Sequence, residues 1–213
     1  SKIQCPQRNE LALDVFEGVV NGASAEHVEL LLLIVQSELT TCTGGDIADL
    51  LRVWTAIEVL RVTEKAIHLH NLRHKRLLQT HAAGLTQALV RQIYELQYAH
   101  TPGNDNTGSA ELSWYTIMSA ATRILARLVH YTATSGIREA RQTACLLQIA
   151  ERTSTALSGC EAPVSLAGAT GVLELLTEMV KMCARDVLQC MPIFISCTRK
   201  ILTTIWSLSL CLH

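Results

Sequence analysis

The chain has 213 residues, of which 49% are hydrophobic but only 4% aromatic, and its formal net charge at pH 7 is −1. A chain of this length can bury a substantial core, and the scarcity of aromatic residues predicts that Leu, Ile, Val and Ala build it. The near-zero net charge excludes a strong overall attraction to nucleic acid or membrane, so any such binding would be local. Only 4 prolines and 11 glycines are present, which favours long helices over an all-β or loop-rich fold.

Turn-forming residues divide the first part of the chain into helices. The first predicted helix runs from a cap at Asn9 to Gly22, and Ser24 caps the second. The pair Gly44-Gly45 ends the second helix, and Asp46 can cap the third.

The segment from Asp46 to Ala99 contains no proline, and a single helix of that length would be unusual in a compact domain. We therefore expect a break near Asn71, or alternatively near Gly84, that gives two antiparallel helices. The Gly- and Asn-rich residues 100–109 predict an exposed, mobile loop.

Four more helices are predicted after this loop. They cover residues 110–133, 137–157, 164–191 and a last segment that begins at Pro192. In all segments apolar residues recur at every third or fourth position, and no strand-like alternation is sustained. The sequence therefore predicts an all-α fold of about eight helices in antiparallel pairs.

The repetition of similar helix pairs indicates an irregular helical repeat, or solenoid, of the armadillo/HEAT-like type, with an irregular helical bundle as the alternative. No tetratricopeptide or ankyrin consensus recurs along the chain. We expect residues 1–213 to form a single helical domain. Because the chain lacks an initial Met and ends inside an apolar, helix-like stretch, we also expect a fragment of a longer chain.

Eight cysteines are scattered along the chain without the spacing of a small disulfide-rich protein. No Cys-x-x-Cys pair is present, which argues against a zinc ribbon. Cys183, Cys190 and Cys197 are regularly spaced, but Pro192 interrupts a helix that would stack them. We expect free thiols that pack as small core residues in a reducing, intracellular compartment.

Neither a secretory signal nor a membrane span is expected. The first ten residues contain no apolar segment. Arg199 and Lys200 interrupt the apolar residues 193–213, and the remaining run is shorter than the roughly 20 apolar residues that span a bilayer.

A histidine-rich stretch, IHLHNLRHKRLLQTH at residues 67–81, raises the question of a metal site. His70, His74 and His81 share one side of a helix at about 100° per residue, and the first two have the i, i+4 spacing of zinc ligands. However, no Glu follows the first His, and no obvious third ligand is near. We therefore predict a helix–helix contact, with metal binding and a pH-sensitive contact as alternatives. The same stripe contains Ile67, Leu77 and Leu78.

The most basic part of the chain adjoins this stripe, in Arg61, Lys65, Arg73, Lys75 and Arg76. Lys and Arg side chains supply sequence-independent affinity for phosphates, so this helix face is a candidate surface for a partner or for nucleic acid. No aromatic residues for base stacking are interleaved, and nearby glutamates dilute the charge. An ordinary solvated helix face is the competing interpretation.

The common catalytic motifs are absent from the sequence. It contains no phosphate-binding Gly-x-x-x-x-Gly-Lys-Ser/Thr loop, no Gly-x-Gly-x-x-Gly turn and no Gly-x-Ser-x-Gly elbow. We therefore predict a protein that is not an enzyme, with no cofactor, no bound metal and no small-molecule substrate.

Two segments, LLRVWTAIEVLR at 50–61 and RHKRLLQTHAAGLTQAL at 73–89, resemble the helical C-terminal region of the nucleolar unhealthy-ribosome-biogenesis scaffold proteins. The resemblance covers about a fifth of the chain and depends on the placement of Leu, Trp and Gln. It implies a scaffold of early large-subunit precursors in the nucleus, with no catalytic residue. Together with the residue patterns, it predicts an interaction module that binds protein partners in a larger complex. The alternatives are contact with RNA or DNA through the basic face, and a metal-binding or redox protein.

Overall fold

The structure, a computed structural model, describes residues 10–42, 47–70, 72–99, 110–134, 140–157 and 162–211. These residues form eight α-helices and no strand, which confirms the predicted all-α fold. The helices are α1 (Glu10–Gly22), α2 (Ala25–Thr41), α3 (Ile47–His70), α4 (Leu72–Ala99), α5 (Ala110–Thr134), α6 (Ala140–Leu157), α7 (Ala162–Gln189) and α8 (Met191–Cys211).

The helix boundaries agree with the sequence pattern at Gly22, at Ser24 and at the break between α3 and α4. The predicted cap at Asn9, the stop at Gly44-Gly45 and the cap at Asp46 lie outside the described residues. Ser24 caps α2, because its side chain accepts a hydrogen bond from the backbone N–H of His27. α3 ends at His70 and α4 continues through Gly84, so the break near Asn71 is confirmed and the alternative near Gly84 is wrong. The predicted loop at 100–109 lies outside the described residues.

The predicted boundary between the last two helices is displaced by two residues. α7 ends at Gln189 instead of Met191, and Pro192 lies inside the first turn of α8 rather than at its first residue. Proline is tolerated there because the first N–H groups of a helix have no intrahelical acceptor.

The chain divides into two compact units, Ser1–Trp114 and Tyr115–His213. In the first unit, α2 and α4 run parallel, because successive contacts advance in the same direction along both helices. His74 Nε2 lies 3.2 Å from the carbonyl oxygen of Ala23, and the Gln92 amide lies 2.6 Å from that of Leu39. α1 similarly packs on α3, where Lys65 Nζ donates to Glu17 Oε2 at 2.7 Å.

The second unit repeats this arrangement. α8 runs parallel to α6, with Ser196 donating to Glu151 at 2.8 Å and Lys200 to Thr155 at 2.9 Å. α5 contacts α7 through Arg123, whose Nε lies 3.5 Å from Glu174 Oε2. In both units, then, helices two apart in the chain lie side by side and form rows.

The sequence separation between contacting residues in a row gives the period of the repeat. It is 50 to 53 residues between α2 with its flanking residues and α4, and 43 to 49 between α6 and α8. Armadillo and HEAT repeats have a period of about 40–47 residues. These rows are compatible with both the irregular helical repeat and the irregular helical bundle predicted from the sequence, so the armadillo/HEAT-like type and the single domain over residues 1–213 stay predictions.

The core is aliphatic, as the composition predicts. Its fully buried side chains are mainly Leu and Ile, and the largest of them is Tyr131. α3 has little free surface because it packs against α1, α2 and α4. An aliphatic core requires that the helices lie close together. Two helices approach each other closely where Gly171 of α7 faces α5.

We expect the Gln92→Leu substitution to reduce the free energy of unfolding by about 1–3 kcal/mol. The buried Gln92 amide donates at 2.6 Å to the carbonyls of both Leu39 and Cys42 at the end of α2, where helical carbonyls need donor partners from outside the helix. Chemical denaturation followed by circular dichroism measures the effect. Gln87→Leu, at an exposed position of the same helix, is the control and should change stability by less than about 0.5 kcal/mol. Equal effects of both substitutions would contradict this role of Gln92.

Two helical glycines provide a matched test of helix proximity. Alanine in a helix interior is favoured over glycine by about 0.5–1 kcal/mol. At Gly84 a new Cβ meets only the end of the Gln36 side chain, at 2.8 Å, whereas at Gly171 it meets Arg123 Cγ at 2.7 Å and the Ser119 carbonyl at 3.2 Å. Gly84→Ala should therefore raise the melting temperature, and Gly171→Ala should lower it, in thermal denaturation. A stabilising Gly171→Ala would show that α5 and α7 are less tightly packed.

Candidate protein-interaction surface

Across the residues that the structure describes, exposed large apolar side chains are concentrated on the first two helices of the first unit and the last two helices of the second. α1 and α2 begin the rows of the first unit, and α7 and α8 end those of the second. Among the described residues, α4, α5 and α6 have no exposed large apolar side chain, and α3 has only Leu51. The exposed residues are Leu11, Val15 and Val19 on α1, Leu30, Leu33 and Ile34 on α2, Leu173, Val180 and Leu188 on α7, and Ile195, Leu202 and Trp206 on α8.

The inner side of α8 is held by both apolar and polar contacts. Cys197 and Ile201 are buried, and Cys197 Sγ lies 3.3 Å from Ser154 Oγ of α6. Beside this contact, Ser196 and Lys200 both reach Glu151 of α6. These contacts fix the rotation of α8 and thereby determine which side chains point to solvent.

The outer side of α8 is apolar. Ile195, Leu202 and Trp206 are 57%, 59% and 69% exposed, and they lie within about 40° of one another around the helix axis. Their side is nearly opposite the one that contacts α6. We call this surface the α8 face; together with these three residues it comprises Met191, Phe194, Thr198, Arg199 and Thr203.

Arg199 is the one charged residue of the α8 face. It is exposed, and no carboxylate of the described part of the chain forms an ion pair with it. The adjacent Lys200 is different, because it points toward α6 and contacts Glu151 at 3.4 Å. The α8 face therefore combines an apolar stripe with one uncompensated positive charge, and this combination suits a partner with an apolar stripe and a carboxylate.

The basic residues singled out from the sequence have different environments. Arg61 donates from Nε and Nη2 to Glu58 at 3.1 and 3.0 Å, and Lys65 pairs with Glu17 at 2.7 Å. Carboxylates therefore neutralise two of the five predicted cations. Lys75 is half-buried and Arg76 is exposed, whereas the side chain of Arg73 lies outside the described residues. A partner or nucleic-acid surface at these five residues stays a prediction.

The two glutamates that the sequence places near these cations are shielded from solvent. Glu58 and Glu64 are only 7% and 6% exposed, because α3 packs against three neighbouring helices. The nearest carboxylates are thus not free solvent-side charges. The burial of these glutamates could not be predicted from the positions of residues around one helix axis, since the helices that cover them come from other parts of the chain.

Two members of the histidine stripe, His74 and His81, lie in the seam between α2 and α4, as predicted for a helix–helix contact. His74 is buried and contacts the carbonyl of Ala23, while His81 Nε2 lies 3.4 Å from Glu29 Oε1. The side chain of His70 lies outside the described residues. Within the ranges that the structure describes, no three His, Cys, Asp or Glu side chains are grouped to hold a metal ion.

The α8 face was missed from the sequence, although a signal for it was present. Residues 193–206 have apolar side chains on both sides of the helix, and such a helix normally requires burial on both sides. From the sequence alone, Arg199 and Lys200 indicate only that the apolar stretch is too short for a membrane span. In the structure these two neighbouring cations have different environments, because Lys200 points to α6 and Arg199 lies on the α8 face.

Protein-family models, curated proteins and solved structures were compared with the chain, and none of them matches it. The resemblance to the ribosome-biogenesis scaffolds therefore stays a prediction. Of the helices in the described ranges, none is both long enough and apolar enough to cross a membrane.

We expect Cys197 to react more slowly with iodoacetamide than Cys190 or Cys145. Burial raises the pKa of the Cys197 thiol, and the thiolate is the reactive species, whereas the other two side chains are half-buried. The raised pKa favours the neutral thiol in the folded state. The buried neutral Cys197 thiol therefore contributes fully to stability below the pKa of an unfolded cysteine, about 8.5. This contribution is lost as the pH rises through the higher pKa of the thiol in the folded state.

Peptide mass spectrometry after timed alkylation measures the three rates. In denaturant, where burial no longer distinguishes the thiols, they should become similar. Native-state alkylation of Cys197 as fast as that of Cys190 would contradict the buried position of Cys197.

Proposed function

We propose that the chain is a non-enzymatic scaffold, a protein-interaction module that binds a helix of a protein partner on its α8 face. The observation that supports this proposal is the exposed apolar stripe of Ile195, Leu202 and Trp206 on the last helix of a row. A repeat array needs terminal helices with a polar outer side to remain soluble alone. An apolar outer side is typical of a surface that another chain covers.

A helix is the kind of partner that this surface fits. α8 already packs side by side with α6, and a helix on the opposite side would continue the row with the same type of contact. Helix-in-groove recognition depends on apolar residues at helical spacing, such as positions i, i+4 and i+7. Ile195, Leu202 and Trp206 stand at positions i, i+7 and i+11 of α8, which also follow the helical period and share one side of the helix.

The free energies of apolar burial and of ion pairing indicate which residues supply the affinity for a partner. Covering the exposed fractions of the three apolar side chains is worth on the order of 3–6 kcal/mol. An exposed ion pair with Arg199 adds less than about 1 kcal/mol. The apolar stripe therefore provides most of the binding free energy, and Arg199 selects between partners of different charge.

The proposed compartment is intracellular and reducing. This proposal is supported by Cys42, Cys145, Cys190 and Cys197, which are free thiols in the described part of the chain. If the resemblance of residues 50–61 and 73–89 to ribosome-biogenesis scaffolds holds, the proposed location is the nucleolus and the complex is a large-subunit precursor.

Contact of RNA or DNA with the basic face is the weaker proposal. Nucleic acid would have to displace Glu58 from Arg61 and Glu17 from Lys65. The α8 face requires no such exchange, because Ile195, Leu202, Trp206 and Arg199 are already exposed.

We expect a photo-crosslinking residue at position 202 to form an adduct with a protein in cells that produce this chain. The Trp206→Asp substitution should reduce that adduct at least about tenfold, because it removes more than about 1.4 kcal/mol of apolar burial. Denaturing electrophoresis and mass spectrometry measure and identify the adduct.

The matched control places the same crosslinker at Arg127, an exposed position of α5, where this adduct should not form. Trp206 is 69% exposed, so Trp206→Asp should leave the melting temperature nearly unchanged, and this separates lost binding from unfolding. The proposal is wrong if position 202 forms no protein adduct that depends on Trp206.

A further inference from the structure

We infer that the helix that covers the α8 face is α2 of a second copy of this chain. This inference rests on the proposed function and names its partner. It depends on three properties of α2, namely its apolar outer side, its charge and its position in a row.

The outer side of α2 resembles the α8 face in form. Leu30, Leu33 and Ile34 are 55%, 47% and 50% exposed. They lie nearly opposite the side of α2 that contacts α4, where Leu32 and Leu39 are buried. α2 therefore presents an unpartnered apolar stripe at the start of its row, as α8 does at the end of its own.

The charges of the two helices are complementary. Residues 10–42 contain six carboxylates and no Lys or Arg, whereas residues 191–211 contain two cations and no carboxylate. Glu17 and Glu38 are engaged with Lys65 and Arg52. The exposed Glu26 lies beside the apolar stripe of α2, as Arg199 lies beside that of α8.

This distribution favours contact between unlike faces. Two α8 faces in contact would bring Arg199 near its own counterpart with no carboxylate of α8 to compensate it. Two α2 faces would likewise bring only carboxylates together. Like charges in close contact disfavour an interface, and pairing α8 with α2 avoids both situations.

The spacing of residues along the two helices is also compatible. In a parallel arrangement with Glu26 beside Arg199, Leu33 and Trp206 each follow seven positions later. Both helices rise by about 1.5 Å per residue, so these two apolar side chains meet at the same height. The parallel direction is the one that α6 and α8 adopt within a row.

The contact uses a different surface on each copy. A complex of two copies joined by one such contact therefore still has one unoccupied α2 and one unoccupied α8 face, which either bind further copies or close a ring. The expected behaviour is a mass that increases with concentration.

The test uses two variants, each of which blocks one face. Leu33→Asp places a charge in the α2 stripe and Trp206→Asp places one in the α8 face, both at exposed positions. In sedimentation velocity, the wild-type mass should rise through the micromolar range, while each variant alone remains a monomer. Their equimolar mixture should form a heterodimer and nothing larger, because only one intact α8 face and one intact α2 stripe remain.

Charge reversal provides a second readout. Arg199→Glu and Glu26→Arg should each weaken association about two- to fivefold, as expected for an exposed ion pair. The double variant should recover it. Arg127→Glu, at an exposed position of α5, is the control and should leave association unchanged. Failure of the double variant to recover would overturn the pairing of Glu26 with Arg199.

A wild-type protein that stays monomeric, or a mixture without heterodimer, overturns the inference. A Leu33→Asp variant that dimerises alone also overturns it, because the contact would then join two α8 faces. The proposed function is tested separately by the crosslink at position 202. An adduct with a different protein would leave that function intact, and the absence of any protein adduct would contradict both.

Discussion

Helices of this chain need cover from a helix adjacent in the sequence and from a helix two elements away, as α3 and α2 cover α4 and as α7 and α6 cover α8. The requirement follows from the composition, since apolar residues are abundant and large aromatic ones are rare. The buried apolar surface is therefore distributed over many aliphatic side chains, which stabilise the fold only when helices lie close together. The side-by-side rows of α2 with α4 and of α6 with α8 meet this requirement.

Polar groups in the seams determine the register of the rows. The Gln92 amide binds the last carbonyls of α2, and His74 binds the carbonyl of Ala23 just before it. In the second unit, Ser154 meets Cys197 and Glu151 meets Ser196. Each of these groups contacts a residue more than 40 positions away in sequence, so the seams depend on the tertiary fold and not on local helix preference.

Much of the architecture could be predicted because helices are encoded locally. The cap at Ser24, the break near Asn71 and the apolar periodicity all depend on neighbouring residues. The seam position of His74 was also predictable, since its side of α4 contains buried apolar residues. All these features could be predicted from the sequence of a single helix, because its apolar residues show which side faces inward.

The environment of the charged residues could not be predicted in the same way. Lys65 is compensated by Glu17, which is 48 residues away, and Glu58 is buried by helices that no local pattern identifies. The α8 face was missed for the same reason, because its apolar periodicity is indistinguishable from that of a covered helix. Exposure depends on whether a neighbour exists, and the neighbour of a helix in this fold is two elements away.

The paired contacts along α2 and α4 also restrict how related chains can differ in length. One residue inserted into α4 between His81 and Gln92 would rotate all that follows by about 100°, and the Gln92 amide would no longer reach the carbonyls of Leu39 and Cys42. An insertion between helices imposes no such rotation. Insertions and deletions should therefore be tolerated in the loops between helices but not within the helices that form the seams. Homologous chains should keep their helix lengths while their loops differ in length.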